Sequence, residues 1–90
     1  MRVALFCHDK PAALPVRLEN RAAHLAHIEA TGVVEMAGPL LDAAGQMCGS
    51  LIVLTVDSLA QAQDWAAADP YAKAGLFASV TVIEWKKVIG

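Results

Sequence analysis

Charge is scarce in this chain. Only 18% of its residues are charged, seven basic against nine acidic, and the two signs are interspersed. A protein that grips nucleic acid needs a basic stripe to neutralise phosphates and release counterions, and none is present. Cysteine is scarcer still. Cys7 and Cys48 stand far apart, without CxxC spacing and without the several paired cysteines of a disulfide-stapled secreted domain. Residence in the cytoplasm fits that usage. No apolar run approaches the roughly 18–20 residues that a bilayer span requires, and the apolar part of the opening MRVALFCHDK is too short for a secretory signal. GxGxxG, P-loop and GxSxG patterns are also lacking, which removes support for dinucleotide, phosphate-loop and nucleophile-elbow chemistry. The expectation is a soluble cytoplasmic protein that meets neither membrane nor nucleic acid.

What the chain has in excess is apolar surface. Its 90 residues, read as a single domain over 1–90, are 57% hydrophobic. A chain this short buries only about two thirds of the surface it exposes when unfolded. So much apolar material in so small a globule predicts burial beyond one subunit, hence an oligomer.

Periodicity supplies the elements. RVALFCH, residues 2–8, alternates Val3, Leu5 and Cys7 with Ala4 and Phe6, as a strand with two apolar faces does. DKPAALP follows as a loop. From about Val16 to Ala30 the pattern turns helical, and Leu14, Leu18, Ala22, Leu25 and Ile28 predict a stripe facing the core, with Gly32 as C-terminal cap. VVEMAGPLL reads as a second strand, DAAGQMCG as a turn and SLIVLTV as a third strand. Ser58 and Gln61 form a capping box for a second helix running to about Ala68, with Leu59, Ala62, Trp65 and Ala66 inward. LFASVTVIEW is the fourth strand.

The order is βαββαβ, with a hairpin in the middle and helical crossovers outside it, which predicts an α+β, ferredoxin-like fold with a four-stranded antiparallel sheet. Two helices cover only one face of that sheet. The third strand is nevertheless apolar on both sides, with Ile52, Leu54 and Val56 on one and Leu51 and Val53 on the other. A second copy of the same sheet is the economical cover, giving a homodimeric α+β barrel joined through its sheet faces.

Chemistry-bearing residues are few. Arg17, Arg21, His24 and Ile28 fall in one row along the edge of the leucine stripe, with His27 turned towards solvent. Alone, His24 reads as an edge histidine whose ring reaches water. Asp69 precedes Pro70, so DPYAKAG spells a short capped helical turn, and capping leaves one carboxylate oxygen free to orient an imidazole. His24 and His27 have a spacing that zinc sites use, but no third ligand has motif spacing, so no metal is expected. Ser50, at the start of the third strand, either satisfies nearby backbone or faces the barrel interior. Tyr71 is either a core aromatic with its hydroxyl at the surface or a proton donor lining a cleft. Cys7, Cys48, Trp65 and Trp85 read as packing residues.

Taken together, LFCHDKPAALPVRLENRAAHL, AGPLLDAAGQMCGSL and WAAADPYAKAGLFASVTVIEWKKVIG resemble the YciI-like (YCII-related) family over essentially the whole chain. The resemblance implies the dimeric α+β barrel fold, shared with muconolactone isomerase and with heme-handling and antibiotic-synthesis monooxygenases. It implies a site in which the helix-one histidine, here His24, pairs with the aspartate of the DPY segment, here Asp69. Arg17, Ser50 and Tyr71 match further substrate-pocket positions. No consistent cofactor goes with the family, and one branch looks like dehydrochlorinases acting on chlorinated hydroxyaromatics.

The resulting expectation is a His24–Asp69 dyad doing general acid–base chemistry on a small oxyacid or hydroxyaromatic: isomerisation, elimination or hydrolysis. A cleft that only binds a small anionic or aromatic metabolite, in an accessory or sensor dimer, is the alternative. A purely structural module is the third.

Overall fold

A computed structural model describes residues 1–90. Its elements are β1 (Arg2–Asp9), α1 (Leu14–Thr31), β2 (Val34–Leu41), β3 (Met47–Thr55), α2 (Leu59–Ala68), α3 (Pro70–Lys73) and β4 (Phe77–Trp85). The strands form one sheet in the order β2-β3-β1-β4, every neighbour antiparallel. The βαββαβ expectation holds, with α3 as the short turn that Asp69 and Pro70 announce.

Register sets what each face carries. Val3 lies opposite Leu54, Leu5 opposite Ile52 and Val82, and Cys7 opposite Ser50, so these side chains share the face beneath the helices. There they join Val56, Ala62 and Trp65 in one buried cluster. Each large apolar side chain sealed in this way contributes about 1.5–3 kcal/mol. α1 packs over β2 and against α3, while α2 packs over β1 and β4. On the opposite face, Phe6, Met36 and Ile83 remain 39%, 47% and 52% exposed. Ala4 and Val53 between them are covered by their neighbours.

β1 and β3 approach closely at Gly49, which pairs with His8. A Cβ at Gly49 would run into the Cys7 carbonyl and press on Leu40. Only glycine keeps these two strands in register immediately before Ser50.

Several local expectations are corrected. β3 begins at Met47, so the turn is confined to Asp42–Gln46 and Ser50 sits within the strand. Asp42 Oδ1 holds that turn by accepting from the N–H groups of Ala44 and Gln46 at 2.9 and 3.0 Å. Ser58 does cap α2, accepting from Gln61 N–H, but the Gln61 amide reaches Asp57 N–H instead of the cap residue's own. Leu59 and Trp85 are exposed at 39% and 38%, not packed inside.

The largest correction concerns α1. Leu18 and Leu25, expected in the core, are 55% and 49% exposed, whereas Arg17 and His24 are buried. The helix is rotated about its axis relative to its apolar stripe, because the sheet beneath it carries a polar site.

Candidate functional site

Arg17 and His24 are seven residues apart on α1, two helical turns, and project from the same face. Both point at the ground between α1, β3 and α3. His24 is 6% exposed and Arg17 3%, so the edge-histidine expectation is replaced by a buried one. His27, one turn on, faces water only in part. It is half-buried, with its ring 4.6 Å from that of Trp65 and its Nε2 3.3 Å from the Trp65 carbonyl oxygen. His24 and His27 therefore diverge, and no three His, Cys, Asp or Glu side chains converge.

Asp69 joins α2 to α3. Standing before Pro70, it is held out of helical geometry at φ −59°, ψ 127°, and caps α3 by accepting the Tyr71 N–H at 3.0 Å. The same oxygen, Oδ1, lies 2.8 Å from His24 Nδ1. Cap and imidazole thus share one oxygen, where the two were expected to use different ones. A carboxylate against Nδ1 requires that nitrogen to carry the proton, which leaves the lone pair of the neutral ring on Nε2. Every fully buried side-chain nitrogen and oxygen has a hydrogen-bond partner. His24 Nε2 has none, so it keeps contact with the cavity that His24 lines.

Tyr71 stacks on His24, with ring centroids 3.9 Å apart and planes 12° from parallel, and meets Phe77 edge-on at 6.1 Å. The Arg17 guanidinium carbon lies 4.8 Å from the centre of the Tyr71 ring. Burial raises the Tyr71 pKa, and the charge of Arg17 only partly opposes it. The phenol is therefore protonated, a donor, at neutral pH.

A residue that the sequence reading passed over completes the group. Asp9 grips Arg17 in a two-point pair, Nε to Oδ2 and Nη2 to Oδ1, both 2.8 Å, with both side chains at most 5% exposed. Burial works against the Arg17 charge, but the hydrogen bond and charge of Asp9 outweigh it and hold the guanidinium above its ordinary value. Nη2 also donates to Ser50 Oγ at 3.0 Å. The signal for Asp9 was present as parity. It continues the inward series Val3, Leu5, Cys7 by one more step, although DKP looks like loop.

Arg17, His24, Ser50 and Tyr71 thus line one cavity of about 170 Å³, with Asp69 behind His24 and Asp9 behind Arg17. Arg21 stands exposed at its mouth, and Ile28, Pro39, Met47 and Ile52 supply apolar wall. A volume of about 150 Å³ admits one benzene ring. Cys7, opposite Ser50, takes no part: burial first, then the charge of Asp69, pushes its thiol up to about 12, so it stays neutral and packs.

The comparisons agree with one another. The YCII-related domain model matches residues 1–86. Protein YciI of Escherichia coli O6:H1 is 37% identical, over 98% of this chain and 99% of that one. The 5-chloro-2-hydroxyhydroquinone dehydrochlorinase from Burkholderia phenoliruptrix AC1100, solved in complex with 2,5-dihydroxybenzoquinone, superposes with a TM-score of 0.88 at 35% identity, covering 96% of this chain and 94% of that one. MhuD, solved with two manganese protoporphyrin IX molecules in each active site, is 22% identical with a TM-score of 0.54, covers 100% of this chain and 99% of that one, and shares the fold alone. With the family model spanning nearly the whole chain and a relative identical at this level over its full length, the chain belongs to the YCII-related family.

Proposed function

We propose that this chain is a cytoplasmic, single-domain acid–base enzyme that eliminates a leaving group, chloride in the best-supported case, from a small hydroxylated ring. The observation that carries the reading is the buried His24–Asp69 contact with Nε2 left to the cavity. An imidazole oriented in this way can take a proton at Nε2 and give it back. The similarity to a dehydrochlorinase of chlorinated hydroxyhydroquinone supports the substrate class, and a cavity of about 170 Å³ suits one ring.

The steps need only proton movement, so no cofactor is called on. His24 Nε2 accepts a proton from a ring hydroxyl and returns it to the ring carbon bearing chlorine. That carbon becomes tetrahedral. Loss of a second hydroxyl proton then expels chloride and leaves a quinone, the net loss being HCl. Arg17, Ser50 and Tyr71 hold the oxygen on which negative charge develops. Stacking against Tyr71 fixes the imidazole plane, so Nε2 meets the ring without reorientation.

The test is chloride release from chlorinated hydroxyhydroquinones, with deuterium uptake into the product in D2O, by the parent and His24→Ala. Both signals are expected in the parent and absent in the variant. Tight binding of the ring compound without either signal would replace this reading with the binding module.

We infer further that two copies associate through the open sheet face carrying Phe6, Met36 and Ile83, since apolar surface left at this exposure on a central sheet is stabilised by a matching face.

A further inference from the structure

Asp9 lies outside the proton-transfer pair, yet its position determines what Ser50 can do. Asp9 occupies Arg17 Nε and one hydrogen of Nη2 through two 2.8 Å bonds, which fixes the guanidinium plane. The second Nη2 hydrogen goes to Ser50 Oγ at 3.0 Å. A hydroxyl that accepts there still holds its own proton, and no acceptor within the protein takes it. Both groups are sealed, Arg17 at 3% and Ser50 at 4% exposure, and both line the cavity. Arg17 Nη1 has no close hydrogen-bond partner, although the Tyr71 hydroxyl interacts with the guanidinium, and, since every fully buried polar side-chain atom is partnered, Nη1 keeps cavity contact.

We propose that Asp9 is a positioning residue: acting through Arg17, it fixes the Ser50 hydroxyl as a donor into the cavity, where Ser50 Oγ–H and Arg17 Nη1–H together bind one ligand oxyanion. The site therefore recognises its ligand at two separate places, the oxyanion at this pair of donors and an exchangeable proton at His24 Nε2. The ligand class that satisfies both carries two oxygens on one small ring, one ionised and one protonated. The negative charge of Asp9 is offset by the guanidinium that both its oxygens engage, so it adds little repulsion to such an anion. This assignment deepens the proposed acid–base reading and rests on it for the ligand class only, since the anchor itself is a matter of binding.

The experiment is accordingly a binding cycle. Affinity for 4-nitrocatechol, at a pH where one of its hydroxyls is ionised and the other is not, is titrated for the parent, Asp9→Asn, Ser50→Ala and the double variant, with folding checked by NMR. Each single change is expected to weaken binding about tenfold, the scale of one hydrogen bond to a charged group. In the Ser50→Ala background, Asp9→Asn is expected to cost less than in the parent, since the part of its effect that runs through Ser50 is already lost and only the part through Arg17 Nη1 remains. Additive losses would overturn the proposal, as would tighter binding by Asp9→Asn, which would make Arg17 the anchor and Asp9 its restraint. Should Asp9→Asn not fold, Ser50→Ala decides alone: unchanged affinity overturns it. A parent that does not bind the probe at millimolar concentration overturns it too. A parent that binds through this anchor but releases no chloride sinks the elimination reading and leaves the anchor standing.

Discussion

Asp69 Oδ1 lies 2.8 Å from His24 Nδ1 while accepting the Tyr71 N–H at 3.0 Å, so one oxygen ends a helical turn and orients an imidazole. The ring it orients is also clamped by Tyr71, whose backbone the same oxygen holds. Cap, carboxylate and stacking partner form a single unit.

That unit separates two variants. Asp69→Asn keeps a cap oxygen but loses the charge, and is expected to lower the proposed chloride release by about 10²–10⁴-fold with a small effect on stability. Asp69→Ala loses the cap as well, about 1 kcal/mol more in urea unfolding. Equal rates for Asp69→Asn and the parent would reduce Asp69 to a cap.

¹⁵N NMR of His24 checks the tautomer directly. The neutral ring is expected to carry its proton on Nδ1, and Asp69→Ala is expected to mix the two tautomers. A parent ring protonated on Nε2 would remove the base.

Gly49→Ala is expected to cost about 1–3 kcal/mol or more, because the added methyl meets the Cys7 carbonyl across the β1–β3 ladder. A urea midpoint that stays at the parent's value in Gly49→Ala would contradict the close approach.

The pH dependence has a definite sign. The Cys7 thiol, ordinarily at 9.0, is pushed up to about 12 in the folded chain, so the folded state holds this proton more tightly. Its contribution to stability is intact below pH 9 and lost progressively as pH rises towards 12. Tyr71, also raised by burial, acts in the same direction. Cys7→Ala is expected to flatten the alkaline decline, measured by unfolding at a series of pH values. An unchanged slope would refute the assignment.

Association is checked by sedimentation. The parent is expected to run as a dimer, and Phe6→Glu or Ile83→Asp as a monomer that is still folded, since both positions lie on the open sheet face. A monomeric parent would leave that face unexplained.

How much of this was legible beforehand depended on how local the cause was. The Ser58 cap, the Gly32 terminus at φ 66° and the Asp69–Pro70 turn each depend on neighbours in the chain, and all three stand where local chemistry placed them. Alternation in β1 and β3 gave the sheet two apolar faces, and the order of elements gave βαββαβ. The meeting of His24 with Asp69 was available only through family resemblance, since 45 residues separate them.

The facing of α1 was misread because an apolar stripe is only half of the argument. A helix turns its charged side inward when partners wait there, and the partners of Arg17 and His24 come from β1, β3 and the start of α3. Alone, the amino-acid order determined the elements, their caps and the two-faced sheet, because these follow from short-range sterics and periodicity. Tertiary structure decided which face of α1 is buried, that Asp9 neutralises Arg17, and that one oxygen of Asp69 serves two donors. Those outcomes depend on distances between residues remote in sequence, which no spacing along the chain encodes.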